Sequence, residues 1–232
     1  MTESTGLVGV EREAETAAAV ITIQRPEKKN ALSIAVRDAI SDALDELAED
    51  PDTKVVVVTG QGDVFSAGFD LREFEQPELA DELWASSDRF HRRVLEFPLP
   101  TVAAVNGPAL AGGFDLAVMC DLRIASTAAR FSHPESTFSQ TVYGPLKDLV
   151  GGAVARDLCF TGRSVDAEEA LALHVVTKVV APERLMEEAM ATAAAIARTP
   201  RDVLLVMKAK VLRLLRSGGV QVGTDLGATL DL

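Results

Sequence analysis

Two acids 20 residues apart are the side chains best placed to move a proton: Asp115 in Gly112-Gly113-Phe114-Asp115-Leu116 and Glu135 in Phe131-Ser132-His133-Pro134-Glu135. A carboxylate among apolar neighbours has its charged form disfavoured, which lifts its pKa toward the range useful to a general acid or base. Asp115 would also complement the dipole of a helix in whose first turn it falls, and Glu135 reads equally as an exposed loop acid. Two glycine-bearing loops, Phe65-Ser66-Ala67-Gly68-Phe69-Asp70 and Asn106 to Gly113, each follow a run that looks like a buried strand. Loops at the carboxyl ends of parallel strands are where α/β folds place ligands, and glycines let backbone N–H groups approach a bound oxygen. Two such N–H groups beside a helix N-terminus stabilise a developing oxyanion. The chemistry these residues suit is proton movement next to a carbonyl whose oxygen becomes negative.

Other constellations are weaker. Ser66 with His91 or His133 would suit a serine hydrolase, but no Gly-x-Ser-x-Gly elbow is present, and His91 beside Arg92 and Arg93 reads as a solvated helix face. Three histidines without ligand spacing argue against a metal site, and Cys120 and Cys159, in apolar surroundings without Cys-x-x-Cys spacing, read as reduced core residues. Arg25, Lys28 and Lys29 form a basic cluster that suits a phosphate-bearing ligand or a solvated loop.

The elements that would position these groups alternate. Ala18 to Ile23 reads as a strand, Arg25-Pro26-Glu27 breaks it, and Ser33 to Glu49 carries helical periodicity. Val55 to Thr59 is a β-branched run buried on both faces, a helix spans about Pro77 to Phe97, and Thr101 to Val105 is a third strand. A helix near Phe114 to Cys120, a short strand Asp121 to Ala125, helices from Asp148, Asp166 and Pro182, and a final strand Val175 to Val180 complete the pattern. This favours a mixed α/β fold of stacked βαβ-type units. From Pro182 the chain becomes helical and apolar beyond one face, as in a packing arm for the core or another subunit, and Ser217 to Leu232 reads as mobile.

A chain of 232 residues with 47% hydrophobic side chains can bury a full core. No apolar run reaches the roughly 20 residues of a membrane helix, and the first nine residues lack signal-peptide order, so a soluble cytoplasmic protein is expected. The net charge of −12 opposes binding to nucleic acid or an anionic membrane.

Taken together, Arg25-Pro26-Glu27-Lys28-Lys29-Asn30-Ala31-Leu32, the Phe65-to-Asp70 loop, Val102 to Gly113, Met119-Cys120-Asp121 with Phe131 to Glu135, and Phe160 to Ala170 resemble the crotonase superfamily, the enoyl-CoA hydratase/isomerase family. The resemblance covers roughly residues 10 to 198 and implies an α/β spiral of repeated ββα units over 1–181 and a helical C-terminal trimerisation region over 182–232. It implies a homotrimer or dimer of trimers acting on an acyl-CoA thioester, with no cofactor besides that substrate. By position it assigns the oxyanion-hole N–H groups to Phe69 and Gly112, the catalytic carboxylates to Asp115 and Glu135, and contacts to coenzyme A to Lys29, Ala67 and Asp70.

The chain departs from that pattern in three places. Aspartate stands at the first acid position, one methylene shorter than glutamate, which weakens the expectation of water activation. Ser136 to Leu149 is about four residues short of the family's turn, and Tyr143 within it reads as a structural tyrosine. The sequence ends at Leu232, before the family's usual final helix, so enclosure of coenzyme A would be incomplete or would fall to a neighbouring subunit.

Overall fold

The computed structural model describes residues 2–4, 6–137 and 141–217. The first strands, β1 (Thr2–Ser4), β2 (Val8–Glu13) and β3 (Ala18–Ile23), pair antiparallel in sequence order. Helix α1 (Ile34–Glu49) starts at Ser33, whose hydroxyl accepts the Val36 N–H as an N-cap, and leads to β4 (Val55–Gly60). Then come α2 (Leu71–Phe74), α3 (Ala80–Leu95), β5 (Thr101–Val105), β6 (Ala109–Leu110) and α4 (Gly112–Met119). The chain continues through β7 (Leu122–Ser126), β8 (Arg130–Ser132), α5 (Gly144–Thr161), β9 (Val165–Asp166), α6 (Ala167–Ala172), β10 (Lys178–Val180), α7 (Leu185–Ala197) and α8 (Arg201–Ser217).

The large sheet runs β1-β2-β3-β4-β5-β7-β10, parallel from β3 onward. A second sheet runs β6-β8-β9, and single bridges from Leu32 to Phe69 and from Ser66 to Ala109 extend it. Each repeat therefore lays one strand in the large sheet and a short segment in the small layer before its helix, as β5-β6-α4 and β7-β8-α5 do. This is the expected spiral of ββα units in a mixed α/β fold, with helices at the C-terminal end.

The valine run is continuous because both faces of β4 are covered. Val56 and Val58 join Ile21, Ile23, Ala103 and Val105 in one core with α1, while Val55 and Val57 join Val20, Val102 and Ala104 against Leu185, Ala189 and Ala193 of α7. Both cysteines are buried and unpaired. The helix read as starting at Asp148 begins at Gly144, and the strand read as Val175 to Val180 is confined to Lys178–Val180. The residues read as mobile beyond Ser217 lie outside the described residues.

Lys208 anchors α8. Its ammonium, almost wholly buried, reaches both Asp121 oxygens at 2.6 Å, while Asp121 also accepts the Thr101 N–H and hydroxyl. Removing one partner of such a pair strands the other's charge. Lys208→Met should lower unfolding free energy by about 2 kcal/mol, at the low end because the Asp121 side chain is a quarter exposed and keeps its Thr101 bonds. Urea denaturation of the two proteins measures it.

Candidate active site

The loop after β4 is pinned by backbone and by Ser66. Phe65 and Ser66 N–H donate to Pro108 O, Ala67 N–H donates to Lys29 O, and Leu32 N–H donates to Gly68 O. The Ser66 hydroxyl donates to Asn30 O at 2.8 Å and accepts the Gly68 N–H, so it is spent on holding this turn and is no nucleophile. Gly68 has φ of +87°, which turns the following Phe69 N–H out of the ladder. A Cβ on Gly68 would sit 2.7 Å from the Ala111 Cβ and 3.0 Å from the Gly112 nitrogen, so the two loops touch at this point.

The second loop runs through β6, where Leu110 N–H donates to Ser66 O and Ala111 N–H to Ser132 O. Ala111 takes φ 51° and ψ −129°, a conformation that L residues avoid and that persists where surrounding structure over-determines it, often at active sites. It aims the Gly112 N–H at the start of α4. Among the described residues neither Phe69 N–H nor Gly112 N–H donates to a protein acceptor. Each therefore follows a residue of positive φ, and the two loops that carry them are in contact.

The Phe69 ring is held from below. Its edge packs on Gly112, where a Cβ would lie 2.7 Å from a ring carbon, and the Arg37 guanidinium sits 4.3 Å from its centroid. Arg37, from α1, is fully buried and bonds Leu32 O, Leu83 O and Ser86, with Glu73 at 3.7 Å. Burial lowers its pKa, and the charges of Glu73 and Asp38 oppose that shift. His91 corrects an expectation: it does not lie on a solvated face. It is 4% exposed, shares a hydrogen bond with Ser87, and packs 5.9 Å from Phe69, with burial lowering its pKa.

At the C-terminal end of α4, Arg123 of β7 is 2% exposed and bonds the carbonyls of Ala117, Cys120, Asp121 and Val175. It satisfies the helix end opposite the Gly112 N–H, a support that a lone arginine in a strand pattern does not reveal.

The two acids come together with a third group, His133, which the sequence leaves without a role once a pairing with Ser66 is set aside. Asp115 Oδ1 lies 2.9 Å from Nε2 of His133, whose side chain is fully buried, and ligand atoms of Asp115, His133 and Glu135 all fall within 4.8 Å of one another. The Phe114 ring packs on His133 at 4.7 Å. Burial by itself disfavours the imidazolium, but the charge and hydrogen bond of Asp115 outweigh it, with smaller help from Cys159 and Glu135, and His133 rises from 6.5 to about 10. Glu135 rises from 4.5 to about 7, first through burial and then through Asp115, with His133 opposing. Among the described residues its Oε2 is buried without a hydrogen-bond partner, and the His133 Nδ1 has no closer partner than the Cys159 thiol.

No ligand spacing marks this cluster in the sequence; the fold assembles it. Its composition matches a divalent-metal site, but His133 Nε2 is hydrogen-bonded to Asp115, which makes the pair an ion pair rather than two open ligands.

A group whose pKa is raised on folding holds its proton more tightly when native, so its stabilisation is complete below the unfolded pKa and is lost as pH climbs to the folded one. Between pH 7 and 9 His133 contributes most, since the whole window lies between its ordinary 6.5 and its folded value of about 10, while Glu135 at about 7 and the Cys120 thiol, raised to about 12, add smaller parts at the two ends of the window. Unfolding free energy should fall by roughly 2–3 kcal/mol across that window, and by clearly less in His133→Gln, where only Glu135 and Cys120 remain to contribute. Calorimetry at pH 7, 8 and 9 reads the difference.

The residues assigned to coenzyme A lie together. Lys29 is exposed at φ 52°, its carbonyl holding Ala67, and Asp70 caps α2 while pairing with Arg25 at 2.9 Å. Arg25 of the basic cluster is thus engaged, and Lys28 and Lys29 face solvent. Tyr143 is half-buried against the core at the start of α5.

Comparison with known proteins agrees with this geometry. The family model described as enoyl-CoA hydratase/isomerase matches residues 13–224. A Thermus thermophilus protein whose provisional name is enoyl-CoA hydratase is 40% identical over 218 residues, covering 90% of this chain and 86% of that one. A short-chain-enoyl-CoA hydratase of Clostridium acetobutylicum is 37% identical over 184 residues, covering 76% of this chain and 70% of its own length. The solved structure of an enoyl-CoA hydratase/isomerase from Xanthobacter autotrophicus Py2 superposes with a TM-score of 0.87 at 30% identity, covering 96% of this chain and 84% of that one. With a matching family model across most of its length, relatives of 37% and 40% identity and the same fold, the chain belongs to the enoyl-CoA hydratase/isomerase family.

Proposed function

We propose that the protein binds an acyl thioester of coenzyme A, polarises its carbonyl between the N–H groups of Phe69 and Gly112, and uses Glu135 to move a proton on the acyl chain. The observation that carries this is the pair of N–H groups, each behind a residue of positive φ and without a protein acceptor among the described residues, one helical turn from the acid cluster. When a proton leaves the carbon beside a thioester, charge moves to the carbonyl oxygen, and donors already aimed there need no reorganisation. A carboxyl with pKa of about 7 is about half ionised at neutral pH, so it can take the proton and give it back.

Coenzyme A would lie along the Arg25-to-Leu32 turn and the Ala67–Asp70 backbone. Lys28 and Lys29 supply positive charge for its phosphates there, against a chain of net charge −12. The substrate is the only small molecule this chemistry requires, and no helix among the described residues is long and apolar enough to cross a membrane.

A homotrimer or dimer of trimers is part of the same proposal. Helix α8 exposes Val203, Val206, Met207, Val211 and Leu214, a spacing that places them on one helix face, as a subunit contact requires. Light scattering on the eluting protein should give three or six copies; a monomer at micromolar concentration would contradict it.

Incubation with 2-enoyl-CoA and 3-enoyl-CoA esters of varied chain length tests the function. Turnover of either, lost in Glu135→Gln, is the expected result. Binding of acyl-CoA by calorimetry with turnover at background would leave an acyl-CoA-binding protein, and absence of binding would remove the proposal altogether. Release of free thiol or of CO₂ would instead show thioester hydrolysis or decarboxylation on this scaffold.

A further inference from the structure

We propose that His133 is a positioning residue that ties Asp115 into an ion pair and leaves Glu135 as the one group carrying protons, so that the site shifts a 3-enoyl thioester to its 2-enoyl isomer in preference to adding water to a 2-enoyl thioester. The inference rests on the acyl-CoA reading above and specifies the substrate within it.

The geometry assigns the two acids different work. Asp115 Oδ1 accepts from His133 Nε2 at 2.9 Å, and its side chain is only 9% exposed. The imidazole is clamped between this carboxylate and the Phe114 ring, which in turn packs on Phe131. Glu135, by contrast, has Oε2 buried with no hydrogen-bond partner among the described residues. Addition of water needs a second group to hold and deprotonate it while another proton is delivered to the acyl chain. The carboxylate in the place for that is the shorter aspartate, already bonded and charge-balanced.

Isomerisation needs one base. Glu135 takes the proton from C2 of the 3-enoyl thioester, and the C–H electron pair moves to form a dienolate with its oxygen between Phe69 and Gly112. The resulting carboxylic acid returns the same proton to C4, and the double bond comes to rest between C2 and C3. Nothing is gained or lost overall, and Glu135 ends ionised as it began.

Charged and titratable groups face His133 from three elements: Asp115 from α4, Glu135 from the turn after β8, and Cys159 from α5. Those facing Glu135 are Asp115 and His133. Removing the imidazolium takes away the positive neighbour that Glu135 has among the described residues and leaves a bare carboxylate beside it. The acidic limb of kcat/KM for isomerisation should then move up by about one pH unit in His133→Gln, a shift that a purely structural role would not produce.

The experiment compares isomerisation of a 3-enoyl-CoA with hydration of the 2-enoyl-CoA of equal length, in wild type and His133→Gln. It adds nitrogen-15 NMR of the histidines in the wild-type protein, which does not depend on the variant folding. Expected are isomerisation at least roughly 100-fold faster than hydration, the upward limb shift, and a His133 ring still cationic at pH 8. Hydration as fast as isomerisation, or a His133 ring titrating near pH 6.5, would overturn the inference while the acyl-CoA reading stood. Failure to bind either ester would overturn both.

Discussion

Glu135→Gln lowers turnover of the enoyl-CoA substrate by roughly 10³-fold while acyl-CoA affinity changes little, because the amide keeps the shape of the side chain and loses only its proton chemistry. The size follows from the environment of Glu135. Burial and the neighbouring Asp115 hold its pKa at about 7, where a carboxyl is both a competent base and a competent acid near neutral pH. Asp115→Asn gives a smaller loss and a different pattern, since it also removes the partner that keeps His133 charged. Steady-state rates with calorimetric affinities for the same ester separate these cases; equal losses in both variants would show that the two acids act as a matched pair.

Gly112→Ala lowers kcat by roughly 10²-fold, the effect expected when one oxyanion donor is displaced, and costs about 1–3 kcal/mol of stability for the added contact. The added methyl keeps the Gly112 N–H but lands 2.7 Å from the Phe69 ring. That ring cannot swing away freely, with Arg37 at 4.3 Å and Phe74 and His91 stacked beyond it. The strain therefore passes into the backbone carrying both donors. Wild-type kcat in Gly112→Ala, with the protein folded by circular dichroism, would mean that these N–H groups do not bind the reacting oxygen.

Much of this was legible in the sequence, for identifiable reasons. The valines of β4 announce a strand covered on both sides, Ser33 announces the start of α1, and the paired loops lie where Gly68 and Gly112 permit close approach. Strand β2 was not read, because Val8–Glu13 carries two glutamates and an arginine and gains its place only by pairing with β3. Phe69, Gly112, Asp115 and Glu135 are found by motif, and the fold brings them to one place.

What stayed hidden is the set of contacts that close only in three dimensions. His133 meets Asp115 across 18 residues because β8 runs beside β6, which puts the end of one strand over the first turn of α4. Its neighbours in the chain, Ser132 and Pro134, say nothing of this. His91 looks like a residue of an exposed helix face, yet the packing of α1 against α3 buries it, together with Arg37, beneath Phe69. The sequence shows which groups can react, and the packing shows which are already occupied.

Crystallisation with an acyl-CoA bound tests the central claim most directly. The thioester oxygen should lie within about 3.1 Å of both the Phe69 and the Gly112 nitrogens, with Glu135 against the acyl chain. A thioester oxygen beyond about 4 Å from either nitrogen, in a fully occupied site, would contradict it.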